Sequence, residues 1–207
     1  MVAIKSFFSV VFILSVFLAV TNTYALSVDE ALNKARAAGK EGEFKVALIH
    51  LKNGIKEQPE NVPLRIALAE VYLAVGEGAL AEIELNKILS LGVEKSRLQI
   101  LYTKSALLQG EVSKATGLIN SILGLSTTEI AIIRALQGRA YLQLNNIEKA
   151  KNMVFRSYKL APDELEVKIS MAVMCLSESD YDSARKIIEP LHKQQSFNVD
   201  ALMFSAN

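Results

Sequence analysis

The sequence predicts an all-α solenoid made of five similar helix pairs, and three observations support this fold class. First, 51% of the 207 residues are hydrophobic, Trp is absent, and Ala and aliphatic side chains dominate, a composition that favours helices over strands. Second, small residues recur about every 34 positions. Third, Gly and Asn recur in the same register, where a helix would end.

Four columns of residues share one slightly irregular spacing of 34, 34, 35 and 34 positions. The first two columns contain small residues, the third mainly Gly, Asn or Ser, and the fourth bulky aliphatic residues. Their members are Ala47, Ala81, Ala115, Ala150 and Ala184; Ala35, Ala69, Thr103, Gly138 and Ala172; Gly42, Gly76, Gly110, Asn145 and Ser179; and Leu51, Leu85, Ile119, Val154 and Ile188. A repeat of this length predicts a stack of units, because one helix pair cannot bury its apolar faces alone.

Each unit divides into two amphipathic helices around the third column. Helical periodicity precedes the turn, for example in residues 64–75, and resumes after it, for example in residues 44–56. Pro59 and Pro162 lie where a second helix should end, since proline stops a helix. The predicted units span residues 28–61, 62–95, 96–130, 131–164 and 165–198, and residues 199–207 would begin a sixth.

A 34-residue helix pair with this small-residue pattern resembles the tetratricopeptide repeat (TPR) family. Tyr72 and Tyr141 occupy the aromatic position of the first helix, and Phe44 and Tyr181 occupy the one after the turn. The first-helix Trp of the family is absent, and three units lack the aromatic residue after the turn. These units have Gly78, Val112 and Ile147 there. The resemblance implies a right-handed superhelix whose first helices line a concave, protein-binding groove.

Two stretches, residues 46–93 and 107–115, also resemble the N-terminal repeats of TPR lipoproteins associated with the exosortase (PEP-CTERM) sorting system. This likeness implies a role near exopolysaccharide or surface-protein export in the Gram-negative envelope. The chain is far shorter than those proteins and has no Cys near its predicted cleavage site. A lipid anchor therefore does not carry over.

Residues 1–25 have the pattern of a secretory signal peptide. Lys5 supplies the positive charge, residues 7–20 form an apolar run interrupted only by two Ser, and Thr23 and Ala25 are the small residues that a signal peptidase reads. The run is short for a membrane span, which needs about 20 residues. We expect a cleaved signal and an exported, periplasmic protein, with an uncleaved N-terminal anchor as the alternative.

Charge and motif content exclude several function classes. The chain has 23 Lys and Arg and 22 Asp and Glu, and residues 1–25 hold one Lys and no acid, which leaves 22 of each sign. This balance argues against a nucleic-acid partner. His50 and His192 lack ligand-spaced carboxylates or Cys, no phosphate loop or nucleophile motif is present, and the lone Cys175 is typical of a core position. We expect a non-enzymatic protein that needs no metal, cofactor or small-molecule substrate.

Three columns on the first helices are candidates for a partner-binding surface. The central one is mainly basic, and the flanking ones are mainly aliphatic. They are Arg36, Glu70, Lys104, Arg139 and Val173 in the centre, with Leu32, Ile66, Ile100, Ala135 and Ile169 on one side and Gly39, Leu73, Leu107, Leu142 and Leu176 on the other. Such a groove suits a peptide with apolar anchors and an occasional acidic group. The alternative is that the aliphatic columns are interhelical core.

These patterns together predict a scaffold that binds proteins or peptide segments of envelope machinery. The central column has no Asn, so the carboxylate clamp of chaperone-type TPRs is not expected. The sequence stops within the predicted sixth unit, without the polar capping helix of a solenoid. The alternative function is therefore the N-terminal structural or oligomerisation arm of a longer solenoid. Direct polysaccharide binding has little support, because the predicted groove has almost no aromatic rings.

Overall fold

The structure, a computed structural model, describes residues 27–117 and 124–193. These residues form ten α-helices and no strand, and the predicted all-α class is confirmed. The helices are α1 Val28–Lys40, α2 Phe44–Glu57, α3 Val62–Ala74, α4 Gly78–Ser90, α5 Gln99–Leu108, α6 Val112–Gly117, α7 Thr127–Gln143, α8 Ile147–Leu160, α9 Leu165–Ser177 and α10 Tyr181–Lys193. The predicted signal peptide, Ile119 and residues 199–207 lie outside the described residues.

Tight turns join the two helices of each pair, and the third sequence column lies in these turns. Gly42, Gly76 and Gly110 have φ of 82°, 83° and 71°, while Asn145 and Ser179 have φ of 54° and 62°. A positive φ costs Gly little but strains a residue that carries a Cβ. This difference explains why Gly dominates the column, and the prediction that the column ends the first helices is confirmed.

Local capping sets where the first helices begin. Ser27 Oγ and Asn61 Oδ1 each accept a hydrogen bond of 3.1 Å from the backbone N–H three residues further on. Ser126 and Glu129 form a reciprocal capping box. This box explains why α7 begins at Thr127, ahead of residue 131, the predicted start of the fourth unit.

The helices stack in two layers. Each first helix contacts the first helix of the next pair, so α1, α3, α5, α7 and α9 form one continuous layer. Ala47, Ala81, Ala115 and Ala150 on the second helices are fully buried, as close helix packing requires. Gly138 on α7 lets α8 approach so closely that an added Cβ would collide with Val154. None of the described helices has the length and hydropathy needed to cross a lipid bilayer.

Candidate functional site

The central column of the first helices runs across the first-helix layer, with one residue on each helix. Arg36 on α1 and Glu70 on α3 are exposed. Further along, the Lys104 side chain on α5 is 25% exposed and the Arg139 side chain on α7 is 8% exposed. The column therefore has an open section at Arg36 and Glu70 and a more buried section at Lys104 and Arg139, and Val173 on α9 is partly exposed again.

The buried section is built around Glu166, near the start of α9. Its carboxylate Oε2 lies 2.5 Å from Lys104 Nζ, and its Oε1 accepts a hydrogen bond of 2.9 Å from Arg139 Nη1. Burial alone would raise the pKa of Glu166, but the charges and hydrogen bonds of Lys104 and Arg139 outweigh it and hold the pKa below its ordinary value. We call Lys104, Arg139 and Glu166 the charge triad, and it links α5, α7 and α9.

The charge triad brings an acidic residue to the column that the sequence analysis does not include. The sequence predicts a mainly basic line, and Glu166 offsets one of the two positive charges of Lys104 and Arg139, which leaves the triad with a net charge of +1. Sequence reasoning missed Glu166 because its column is not acidic in the units just before it. The matching positions of units two to four are Pro63, Arg97 and Ile132.

Glu70, in the open section, has a different environment from that of Glu166. It forms no hydrogen bond or ion pair with any residue that the structure describes, although the charges of Lys104 and Arg36 act on it. Neighbouring protein displaces part of its hydration, and this desolvation raises the pKa of the Glu70 carboxyl, while Lys104 and Arg36 work in the opposite direction. The residue nevertheless reaches solvent. Glu70 is thus an accessible carboxylate on which the charges of Lys104 and Arg36 act.

Comparisons with known proteins agree on the fold. Residues 40–105 match the family model described as tetratricopeptide repeat. A tetratricopeptide repeat protein of known structure from Parabacteroides merdae ATCC 43184 is 13% identical, with a TM-score of 0.66 over 87% of this chain and 71% of that one. The fold is a TPR solenoid of about five repeats. No curated protein sequence matches the chain significantly.

Two further TPR-like neighbours have solved structures. The chain is 19% identical to Pseudomonas aeruginosa pilF, with a TM-score of 0.54 over 86% of this chain and 87% of that one. It is 18% identical to MamA, with a TM-score of 0.52 over 79% of this chain and 92% of that one. At these identities the likeness concerns the fold alone.

The aliphatic columns of this TPR solenoid separate into core and surface. Several predicted groove residues are buried, so the alternative interpretation as interhelical core applies to them. They are Leu32, Leu73, Leu107, Ala135 and Ile169. Ile66, Ile100 and Leu142 are partly exposed, and Leu176 is 36% exposed. Only the exposed and partly exposed residues can contact a partner without rearrangement, because the buried ones already pack against neighbouring side chains.

Other polar clusters in the described residues connect helices. Glu84 on α4 binds Arg65 on α3 at 2.5 Å, and Glu82 on α4 binds Lys114 on α6 at 2.5 Å. Each acid therefore joins its helix to a neighbour. Within residues 27–117 and 124–193, no group of three His, Cys, Asp or Glu could hold a metal ion. Cys175 is partly buried, and burial raises the pKa of its thiol.

Proposed function

We propose that this chain is an exported scaffold that binds protein segments through the open section of its first-helix layer. The carrying observation is that Ile66 and Ile100 stay partly exposed on the helices that carry Glu70 and Lys104, whereas Leu32, Ala135 and Ile169 of the same column are buried. Partly exposed aliphatic side chains next to charged ones provide affinity and orientation for a peptide. TPR proteins are in general scaffolds for such partners.

The cellular setting is the second part of the proposal. The signal-peptide pattern of residues 1–25 supports export, and the likeness to exosortase-associated TPR lipoproteins supports a role near exopolysaccharide or surface-protein export. Amino-terminal sequencing of the protein recovered from periplasmic extract tests the first point. A mature chain that begins at Leu26 supports a cleaved signal. Recovery of Met1 in the membrane fraction would favour the uncleaved anchor.

Site-specific photo-crosslinking in producing cells tests the binding surface. A photoreactive amino acid replaces Ile66 or Ile100 in the open section, and Asn152, an exposed residue of α8, provides the control position. We expect protein adducts at the two Ile positions and none of the same mass at Asn152. Adducts of twice the mass of the chain would instead favour the oligomerisation arm. Equal adducts at all three positions, or none, would contradict binding at this surface.

A further inference from the structure

We propose that the outer side of the first two repeats docks on a membrane surface that carries anionic phospholipids. This side belongs to α2 and α4, the second helices of units one and two. Helix α2 packs against α1 and α3, and α4 packs against α3 and α5, so their outer sides face away from the first-helix layer. The inference therefore concerns a different surface from the one in the proposed function and does not depend on it.

Four aliphatic side chains are exposed on this outer side, and we call them the outer patch. They fall into two repeat-aligned columns, and their exposed fractions lie between 36% and 57%. They are Val46 and Ile49 on α2 and Leu80 and Ile83 on α4. In units four and five the same two columns hold the polar residues Lys149, Asn152, Ser183 and Lys186. The repeat therefore does not require aliphatic residues at these positions, and an exposed apolar patch of this kind indicates an interaction site.

Lys residues surround the outer patch. The exposed residues of α2 and α4 include several Lys and a single acid. They are Lys45, Lys52, Lys56 and Lys87, with Glu57 at the end of α2. The three Lys of α2 lie four residues before, three after and seven after Ile49, so they share one helix face with it. The outer side of the first two units thus combines aliphatic and positively charged side chains.

The other acidic residues of the two helices do not neutralise this side. Glu84 is 7% exposed and has both Arg65 and Lys87 as partners, and one carboxylate cannot neutralise two cations. Glu82 binds Lys114 from α6. Exposed acids occur in the turns that precede the two helices, and they are Glu41, Glu43 and Glu77. The positive region therefore ends at the N-terminal ends of α2 and α4.

Aliphatic residues surrounded by Lys favour a lipid surface over a protein partner. Protein interfaces are enriched in aromatic residues and Arg and depleted of Lys, whereas the exposed residues of α2 and α4 include no aromatic residue and no Arg. A Lys side chain can keep its methylene groups among apolar neighbours while its ammonium group reaches a phosphate. Anionic headgroups attract these cations, and shallow insertion buries the aliphatic side chains. The balanced charge of the whole chain does not oppose this, because salt screens charges on its far side.

Co-sedimentation of the full chain with lipid vesicles tests the docking. One set of vesicles contains equal parts of phosphatidylglycerol and phosphatidylcholine, and the other contains phosphatidylcholine alone. We expect the partition coefficient of the wild type to be about tenfold or more higher for the anionic vesicles. Raising the salt concentration to about 0.5 M should remove most of this difference.

Two double variants test the two components of the surface. Lys45→Gln combined with Lys56→Gln should lower the partition coefficient for anionic vesicles about tenfold or more, because two cations are lost. Ile49→Gln combined with Ile83→Gln should also lower it, because the most exposed side chains of the outer patch then no longer insert. All four residues are exposed, so circular dichroism should show unchanged helical content.

Arg185→Gln combined with Lys186→Gln is the matched control. It removes two exposed cations from α10, where Lys186 occupies the position that corresponds to Ile49, and it should leave the partition coefficient unchanged. Equal binding to both vesicle types, or no binding to either, would overturn the inference. Equal binding by the wild type and both test variants would also overturn it, because attachment through residues 7–20 would not respond to these changes. A wild-type dimer that Ile49→Gln with Ile83→Gln converts into a monomer in analytical ultracentrifugation would mean that a second copy covers the patch, and would overturn it too.

Discussion

Replacing Glu166 by Gln tests the energetic role of the charge triad. The substitution keeps the side-chain shape but removes a negative charge 2.9 Å from Arg139 Nη1 and 2.5 Å from Lys104 Nζ. The Arg139 side chain is only 8% exposed, so its charge would remain buried without the carboxylate of Glu166. Removing one member of a buried ion pair costs about 3–5 kcal/mol. The Lys104 side chain is 25% exposed and can turn toward water, so we expect the lower end, about 3 kcal/mol.

Urea unfolding followed by the circular dichroism of the helices measures this loss. We expect the midpoint to fall by about 1 M or more, given the usual urea dependence of small proteins. Glu178→Gln is a matched control, because Glu178 binds Lys151 at 2.7 Å but the two side chains are 38% and 44% exposed. Exposed pairs contribute little to stability. The control should therefore unfold at nearly the same urea concentration as the wild type.

A double variant distinguishes loss of charge compensation from loss of packing. Arg139→Met combined with Glu166→Met removes the buried pair and leaves apolar side chains in its place. We expect it to be more stable than Glu166→Gln alone, because the buried Arg is removed together with the carboxylate that it faces. If Glu166→Gln lowers the midpoint no more than Glu178→Gln does, the triad does not stabilise the fold and the reasoning is wrong.

Three further predictions concern packing, turns and pH. Gly138→Ala should lower the free energy of unfolding by about 1–3 kcal/mol, measured in urea, because the new Cβ would collide with Val154; an unchanged midpoint would mean that α8 can shift. Ser179→Gly should raise the free energy of unfolding by about 1 kcal/mol, since Ser179 has a φ of 62° that Gly adopts without strain. A lower thermal midpoint than that of the wild type would contradict this prediction. The folded-state pKa of Glu166 lies below its ordinary value of 4.5, so its stabilisation is present above pH 4.5 and is lost as the pH falls through the folded-state pKa. Urea midpoints should therefore fall more steeply on acidification in the wild type than in Glu166→Gln, and parallel curves would refute the assignment.

The sequence by itself determined the repeat, its two-helix division and its turns. Each depends on local patterns that recur five times, so that a departure in one unit does not hide the column. The turn column illustrates this, because Asn145 and Ser179 adopt the same positive φ as the Gly residues that precede them. A residue that ends a helix does so through its own backbone conformation, so its identity is enough to predict the turn.

The tertiary structure alone decided which residues of the first helices are accessible and which charged groups form ion pairs. A stripe of aliphatic residues on a helix is wide enough to serve both core and surface, so only packing separates the buried Leu73 from the partly exposed Ile66. Glu166 lies 27 residues from Arg139 in sequence, and no column of the repeat predicts their hydrogen bond. Ion pairing depends on distances across helices that meet only after the units have stacked. Which charged groups of the first helices face one another is therefore a property of the fold.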